Sequence, residues 1–289
     1  MKENGDGGVG HAVSTHAFSH HAMNTWWQVR VSGEEETYVA QAAQAAFAIT
    51  DRLESLMSRF RDDSEIACIA KLPAGGRQRV SRDVFDCLSL ALEIQGATNG
   101  AFDIAASIGT SNVPGPGWSL DKQSLEVVIG ATPRRMDLGA IAKGFALDRM
   151  SEELEVWGLH RFLLMSSGSS ILAGDSPVGS EGWAVRLGEN GEMGEVSLTR
   201  KALGTSGFSM RGAHILNPST GVPSSRYERS WAIAATAAEA DALSTSWMNM
   251  EWDSIVRCCE SRNAGACVLD PVEGAREAGL SGLLKRNTA

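Results

Sequence analysis

The sequence predicts an α+β protein with one main domain, and three observations carry this prediction. Its 289 residues include 43% hydrophobic side chains, enough to bury a full core as one large domain or as two closely packed ones. Helix-type patterns dominate the first half of the chain, whereas short strand-type runs separated by glycine-rich turns follow residue 158. Because helices and strands come in separate runs, the order favours α+β over a doubly wound parallel sheet.

The first predicted elements are one strand and two amphipathic helices. Residues 26–31 read Trp-Trp-Gln-Val-Arg-Val and predict a strand. Residues 35 to 58 carry small or apolar side chains at alternating steps of four and three from Val39 to Met57, which predicts a helix with one buried stripe. A second helix is predicted from Ser81, a natural N-cap, to Gly96.

Two further helices frame the strand-rich part of the chain. A third helix is predicted over residues 137–157, with Asp137 placed to cap it. The last helix is predicted over residues 238–259, with Asp241 in its first turn. Between these helices, five short runs predict strands at residues 162–165, 170–173, 183–187, 195–198 and 231–236.

The two ends of the chain are predicted to lie outside the domain. His11, His16, His20 and His21 are irregularly spaced in a Gly/Ser/Asn context, which favours a flexible arm over a metal site. We therefore predict an arm over residues 1–22, a domain over residues 23–275 and a tail over residues 276–289.

Charge, cysteine content and hydropathy limit the function classes. The 26 basic and 35 acidic side chains give a net charge of −9, which disfavours nucleic acid and anionic membranes as partners. The five cysteines contain no CxxC pair and no evident disulfide framework, a pattern typical of a reducing compartment. Residues 1–25 show no signal peptide or acylatable cysteine, and no run is long and apolar enough to span a bilayer. We therefore predict a cytoplasmic protein.

Residues 241–245 read Asp-Ala-Leu-Ser-Thr and predict a site for a hard metal ion. On a helix, Asp241 and Thr245 share a face, so that a carboxylate and a hydroxyl point to one spot. Such oxygen ligands suit Mg²⁺. Upstream, His214 precedes a turn signal at residues 217–221 that can hold its imidazole at the mouth of a site. A metal ion and a base together indicate phosphoryl transfer.

Each of these residues also has a purely structural interpretation when it is taken alone. Asp241 is favourable near the start of a helix, and the Thr245 hydroxyl can bond to its own backbone. His214 alone is equally compatible with a structural histidine, and Lys143 alone with a solvated charge.

Seven motifs follow one another in a fixed order along the chain. Each motif is weak alone, but the ordered set is specific. The motifs are Met-Ser-Arg-Phe at 57–60 with Asp-Ser-Glu at 63–65, Gly-Ala-Phe-Asp at 100–103, Asp-Leu-Gly-Ala-Ile-Ala-Lys-Gly at 137–144, Ser-Gly-Ser-Ser at 167–170, Thr-Ser-Gly at 205–207, the segment 214–221, and Ala-Asp-Ala-Leu-Ser-Thr at 240–245. In this order they resemble the ApbE family, the FAD:protein FMN transferases, from about residue 23 to about residue 270.

The resemblance implies a T-fold-like α+β domain with antiparallel sheets and flanking helices. It also implies that the domain binds FAD with Mg²⁺, moves FMN onto a Thr or Ser of an acceptor protein, and releases AMP. His214 is then the catalytic base, and the Mg²⁺ ligands are Asp241, Thr245 and the carbonyl of Ala140. The residues implied in FAD binding are Met23, Phe60, Ala101, Phe102, Asp103, Asp137, Lys143 and Ile215.

Two other functions are compatible with the same residues. If water replaces the acceptor hydroxyl, the protein is an FAD pyrophosphatase that releases FMN and AMP. Alternatively, it is a relative that binds FAD without turning it over, which the short span between Asp103 and Asp137 favours. The presence of His214, Asp241 and Thr245 favours an enzyme.

Overall fold

The computed structural model describes residues 14–106, 117–130, 135–188, 191–207 and 215–285, which form six helices and sixteen strands. The helices are α1 (Glu36–Met57), α2 (Glu65–Ile69), α3 (Arg82–Ala97), α4 (Ala142–Val156), α5 (Ala237–Trp247) and α6 (Trp252–Arg262). The strands are β1 (Thr15–Ala22), β2 (Thr25–Ser32), β3 (Arg77–Arg79), β4 (Trp118–Asp121), β5 (Glu126–Ile129), β6 (Phe162–Ser166), β7 (Ser170–Ala173), β8 (Trp183–Leu187), β9 (Gly194–Leu198), β10 (Lys201–Gly207), β11 (Leu216–Asn217), β12 (Val222–Pro223), β13 (Arg229–Ala234), β14 (Gly265–Asp270), β15 (Gly274–Ala278) and β16 (Leu284–Lys285).

An eight-stranded antiparallel sheet with the order β1-β2-β6-β7-β10-β13-β14-β15 forms the centre of the fold. Side chains alternate across it, so that Leu164 on β6 faces the helices while Leu163 faces the sheet β16-β9-β8. Two smaller sheets, β3-β5-β4 and β11-β12, complete the described part. Helices on one face and a small sheet on the other confirm the α+β prediction. Within the described ranges, no helix combines the length and apolar character needed to cross a membrane.

Helices α1 and α3 form where local sequence provides both a buried stripe and a cap. On α1 the predicted stripe from Val39 to Met57 is buried, and the Glu35 carboxylate accepts hydrogen bonds from the first-turn amides of Thr37 and Tyr38. The Ser81 hydroxyl begins α3 by accepting the Val84 amide, as predicted.

The predicted arm and tail are wrong for the residues that form strands. Thr15–Ala22 is strand β1, paired along its whole length with β2. In this strand every second residue, namely His16, Phe18 and His20, faces inward. Two of these three residues are polar histidines, so the alternation is not evident from hydrophobicity. The His20 ring stacks on Phe47 at 5.1 Å. At the other end, the predicted tail contributes to β15 and forms β16, which pairs with β9.

Two predicted helix boundaries are also wrong. The last helix is interrupted between Trp247 and Trp252, so Asp241 lies in the second turn of α5 rather than in the first turn of a longer helix. Asp137 does not cap α4, because the helix begins five residues later with no side-chain cap. Its carboxylate instead accepts the Gly139 amide and lies 3.3 Å from the Arg59 guanidinium.

Candidate functional site

Helix α5 lies between two glycines that bring its backbone unusually close to its neighbours. A Cβ atom added to Gly144 on α4 would lie 2.1 Å from the carbonyl oxygen of Ala237. A Cβ added to Gly204 on β10 would lie 2.3 Å from the carbonyl oxygen of Ala240. No side chain can fit at either contact, so α5 is held directly against both α4 and the sheet.

This close packing buries Asp241 among hydrogen-bond donors. The residue is 4% exposed, and its Oδ2 accepts the Gly144 amide at 2.8 Å and lies 3.6 Å from the Lys143 Nζ. Burial raises the pKa of Asp241, while Lys143 and the hydrogen bonds from Ser170 and Gly144 oppose that rise. Because Lys143 already balances the charge of Asp241, a further cation would bind here together with an anionic ligand such as a phosphate.

Thr245 lies one turn along α5 from Asp241. Its Oγ1 is 3.0 Å from the Ser206 hydroxyl, which is also 3.0 Å from the Ser244 hydroxyl. Ser206 belongs to the Thr-Ser-Gly motif at the end of β10. The predicted helical spacing of Asp241 and Thr245 is therefore confirmed, and a hydroxyl-rich strand end lies beside it.

Ala140 lies two residues before α4, and its carbonyl lacks the hydrogen bond that a regular helix would give it. In a regular helix the Gly144 amide would donate to the Ala140 carbonyl, but here it donates to Asp241. Within the described ranges, no backbone amide donates to the Ala140 carbonyl. That oxygen is therefore available to another ligand.

These groups fit Mg²⁺ better than they fit a transition metal. In the described part of the chain, no three His, Cys, Asp or Glu side chains cluster as metal ligands. A cation here would be held by one carboxylate together with carbonyl, hydroxyl and substrate oxygens. Mg²⁺ is commonly bound by one or two carboxylates plus phosphate oxygens and water.

Phe60 and Asp137, both predicted to bind FAD, are joined through Arg59. The Arg59 guanidinium lies 4.6 Å from the centre of the Phe60 ring and 3.3 Å from the Asp137 carboxylate. The Asp137 amide donates to the Ile104 carbonyl at 2.7 Å, so the segment following Asp103 lies alongside. Phe60 is 82% exposed, so its ring is open to a planar ligand.

Asn249 joins two more of the predicted segments. Its side-chain amide donates to the carbonyls of Ala101 at 3.2 Å and Leu216 at 3.1 Å. As whole residues, Phe102 and Ile215 are only 2% and 5% exposed, and both pack in the core. The side chains of these two residues therefore contribute to the core.

Met23 occupies the two-residue turn between β1 and β2. It has a φ of 51°, and Asn24 follows with a φ of 56°. Such left-handed geometry is common for Asn but uncommon for Met. The Met23 amide donates to the Glu54 carboxylate at 2.8 Å, which fixes the turn against α1. His214, the predicted base, lies outside the described residues.

Asp148 is a site-supporting residue that the sequence did not indicate. Its two carboxylate oxygens accept the amides of Ala237 at 2.7 Å and Ala238 at 2.9 Å, at the start of α5. The nearest sequence signal is its spacing of four residues from Gly144, which places both on one face of α4. Although the residue retains some exposure, its carboxylate is enclosed between the two helices.

Asp148 should make the stability of the protein depend on pH. Burial raises its pKa to about 7, the amides of Ala238 and Ala237 oppose the rise, and the charges of Asp241 and Glu152 add to it. Because the unfolded carboxyl titrates near its ordinary value, its stabilising contribution is complete below pH about 4 and is lost as the pH rises to about 7. The loss is at most about 1.4 kcal/mol per pH unit.

Urea unfolding of the protein and of Asp148→Asn between pH 5 and 8 measures this effect. Relative to Asp148→Asn, the free energy of unfolding of the unsubstituted protein should fall as the pH rises to about 7 and then level off. A difference that stays constant over the whole range would contradict the prediction.

The fold and this site define a class of protein: an antiparallel α+β domain with a buried carboxylate, a lysine and hydroxyl groups gathered around one helix. Residues 23–269 match the model of the ApbE family. The chain therefore belongs to the ApbE family.

Similar proteins agree with this assignment. The chain is 25% identical over 266 residues to an FAD:protein FMN transferase of Klebsiella pneumoniae, covering 78% of this chain and 76% of the relative. It is 23% identical over 286 residues to an FAD:protein FMN transferase of Escherichia coli K12, covering 82% and 79%. The flavin transferase ApbE from Vibrio cholerae has the same fold, with a TM-score of 0.81 at 17% identity over 94% of this chain and 100% of that one.

Proposed function

We propose that this protein is a Mg²⁺-dependent FAD:protein FMN transferase, which moves FMN from FAD to a Thr or Ser hydroxyl of an acceptor protein and releases AMP. Its family and the names of its relatives support the reaction class. The observation that carries the proposal is the arrangement at α5. There, buried Asp241 lies beside Lys143, Thr245 follows one turn along, and the Gly144 amide leaves the Ala140 carbonyl available.

In this proposal, Ala140, Asp241 and Thr245 hold Mg²⁺ together with phosphate oxygens and water. The bound ion would neutralise charge on the pyrophosphate of FAD. Lys143, whose Nζ lies 3.6 Å from the Asp241 carboxylate, would bind a phosphate oxygen of the same pyrophosphate.

The transfer itself needs a base for the acceptor hydroxyl. The hydroxyl oxygen forms a bond to the phosphorus of the FMN moiety, the pyrophosphate P–O bond breaks, and AMP leaves with the bridging oxygen. His214 takes the hydroxyl proton, a role proposed from its position in the family motif.

The remaining predicted residues would bind the rest of FAD. We assign the exposed Phe60 ring to stacking on a planar ring of the ligand, with Asp137 beside it across Arg59, and we assign Met23 to a further contact with FAD. Asp103, Ala101, Phe102 and Ile215 would provide the other contacts, as their positions in the family motifs indicate.

Phe60→Ala is expected to weaken FAD binding about 5- to 10-fold, because aromatic stacking contributes about 1 kcal/mol. The thermal midpoint should change little, since the ring is already in solvent. Val156→Ala on α4 is the matched control, because Val156 is equally exposed at 82%. Titration with FAD by fluorescence quenching measures both variants, and unchanged affinity in Phe60→Ala would remove the proposed stacking role.

The proposed activity is tested by mixing the purified protein with FAD, Mg²⁺ and candidate acceptor proteins. Flavin fluorescence that stays with the acceptor on a denaturing gel, together with AMP release, is the expected result. FMN and AMP formed without any acceptor would instead select the pyrophosphatase. FAD retained without AMP release would select the binding protein, and failure to bind FAD would contradict all three functions.

We further propose that the reaction takes place in the cytoplasm. The free thiols of Cys68, Cys87, Cys258 and Cys259 support a reducing compartment. Detection of the protein in cell fractions with an antibody tests this location.

A further inference from the structure

Helix α5 is held at its first turn by a carboxylate from a different helix. Asp148 on α4 accepts the Ala237 amide with Oδ1 at 2.7 Å and the Ala238 amide with Oδ2 at 2.9 Å. The first amides of a helix have no partner within that helix. The N-cap residue Thr236 accepts the Glu239 amide at 3.3 Å, so Asp148 provides acceptors that the cap does not.

The same face of α4 also holds α5 at Asp241. Gly144 precedes Asp148 by four residues, donates its amide to Asp241 at 2.8 Å, and lets α4 approach the Ala237 carbonyl. Helix α4 therefore fixes α5 at two levels. The first level is the first turn of α5, and the second is the Asp241 carboxylate that we assign to the cation.

We propose that Asp148 is a positioning residue for the Mg²⁺ site, which sets the place of α5 along α4 so that Asp241 and Thr245 meet one cation. The inference rests on the proposed function. Asp148 acts through the backbone of α5 and does not itself touch the cation.

The chemistry of the contact explains why a carboxylate is needed there. Two adjacent amides require two acceptors pointing the same way, which a carboxylate provides. In Asp148→Asn one acceptor is replaced by an NH₂ group that faces an N–H donor. The first turn of α5 then loses one hydrogen bond and gains a repulsive contact, and the spacing between α4 and Asp241 is no longer fixed.

The test measures binding of Mn²⁺, used as a probe for Mg²⁺, to the protein with FAD by electron paramagnetic resonance at pH 8, where Asp148 is ionised and both of its oxygens are acceptors. Asp148→Asn is expected to raise the Mn²⁺ Kd about 10-fold or more, the usual effect of removing a group that orients a metal ligand. It should also speed hydrogen exchange at the amides of Ala237 and Ala238 in the metal-free protein.

Glu35→Gln is a matched control. Glu35 accepts two first-turn amides of α1, those of Thr37 and Tyr38, each at 2.9 Å. The chemical change is the same, but α1 carries none of the proposed Mg²⁺ ligands. This variant should lower the thermal midpoint and leave the Mn²⁺ Kd unchanged.

The outcomes separate the role of Asp148 from the proposed function. An Asp148→Asn protein with a lower thermal midpoint but an unchanged Mn²⁺ Kd would overturn the positioning role and leave Asp148 as a stability residue. If that variant does not fold, Asp148→Glu, which keeps both acceptors but shifts them by one methylene, is expected to raise the Mn²⁺ Kd, and an unchanged value would again overturn the role. Failure of the unsubstituted protein to bind Mn²⁺ with FAD would contradict the metal site of the proposed function. The exchange rates at Ala237 and Ala238 would still report whether Asp148 holds α5.

Discussion

Asp241→Asn is expected to reduce FMN transfer by a factor of at least about 10² to 10³ while the protein remains folded. Loss of a carboxylate ligand removes charge stabilisation worth several kcal/mol, and each 1.4 kcal/mol is tenfold in rate. Folding should survive because the Asn oxygen can still accept the Gly144 amide, which lies 2.8 Å from Asp241. The measurement is the rate of acceptor labelling at saturating FAD over a range of Mg²⁺ concentrations.

Asp86→Asn serves as the charge-matched control. Asp86 on α3 pairs with Arg82 at 2.8 Å and with Arg149 at 3.0 Å, away from the proposed ligands. This variant should transfer FMN at close to the normal rate. Near-normal transfer by Asp241→Asn, at the same Mg²⁺ requirement, would disprove the assigned role.

Gly144→Ala should have the largest effect on stability. The new methyl group would lie 2.1 Å from the Ala237 carbonyl oxygen and 2.6 Å from the Ala238 amide nitrogen, and both are backbone atoms that cannot rotate away. Helix α5 must move, and overpacking of this kind costs about 1–3 kcal/mol or more. Urea unfolding should show a clearly lower midpoint, with loss of FMN transfer because Asp241 moves with the helix.

Gly96→Ala is the control for the intrinsic effect of the same substitution. Gly96 lies in α3, and an added Cβ there meets nothing within 4 Å. Ala is favoured over Gly in a helix by up to about 1 kcal/mol, so this variant should keep or raise the midpoint. Equal midpoints for Gly144→Ala and Gly96→Ala would show that the close contact is not restrictive.

The elements that could be predicted from sequence are those whose causes are local. Helices α1 and α3 each have a continuous apolar stripe and a capping side chain within three residues of their start, so both were located closely. Strands β10 and β14 were missed, because their runs of Ala, Gly and other small residues show little alternation. Gly204 lies in the middle of β10, where any larger residue would clash with α5. A strand pattern in the sequence does not show this contact.

Site features fixed by distant partners also escaped prediction. Asn249 interrupts the predicted last helix, and its partners Ala101 and Leu216 are 148 and 33 residues away in sequence. Asp148 binds amides 89 and 90 residues away. The Asp241–Thr245 pair was predictable because helical spacing alone places both residues on one face. The roles of His214, Ala140 and the FAD-binding residues came from the order of family motifs and remain predictions.

The pair of glycines on either side of α5 has a consequence for the choice of ion. Gly144 and Gly204 leave no gap on either side of the helix, so its oxygen donors are held at a fixed spacing rather than on an adjustable support. Mg²⁺ requires a tight octahedron with bonds of about 2.0–2.1 Å, whereas Ca²⁺ accepts six to eight ligands at about 2.3–2.6 Å in a flexible shell. At the proposed Mg²⁺ site, a helix packed this closely on both sides would leave its oxygen ligands little room to adjust to a larger ion, so the packing would favour Mg²⁺ over Ca²⁺.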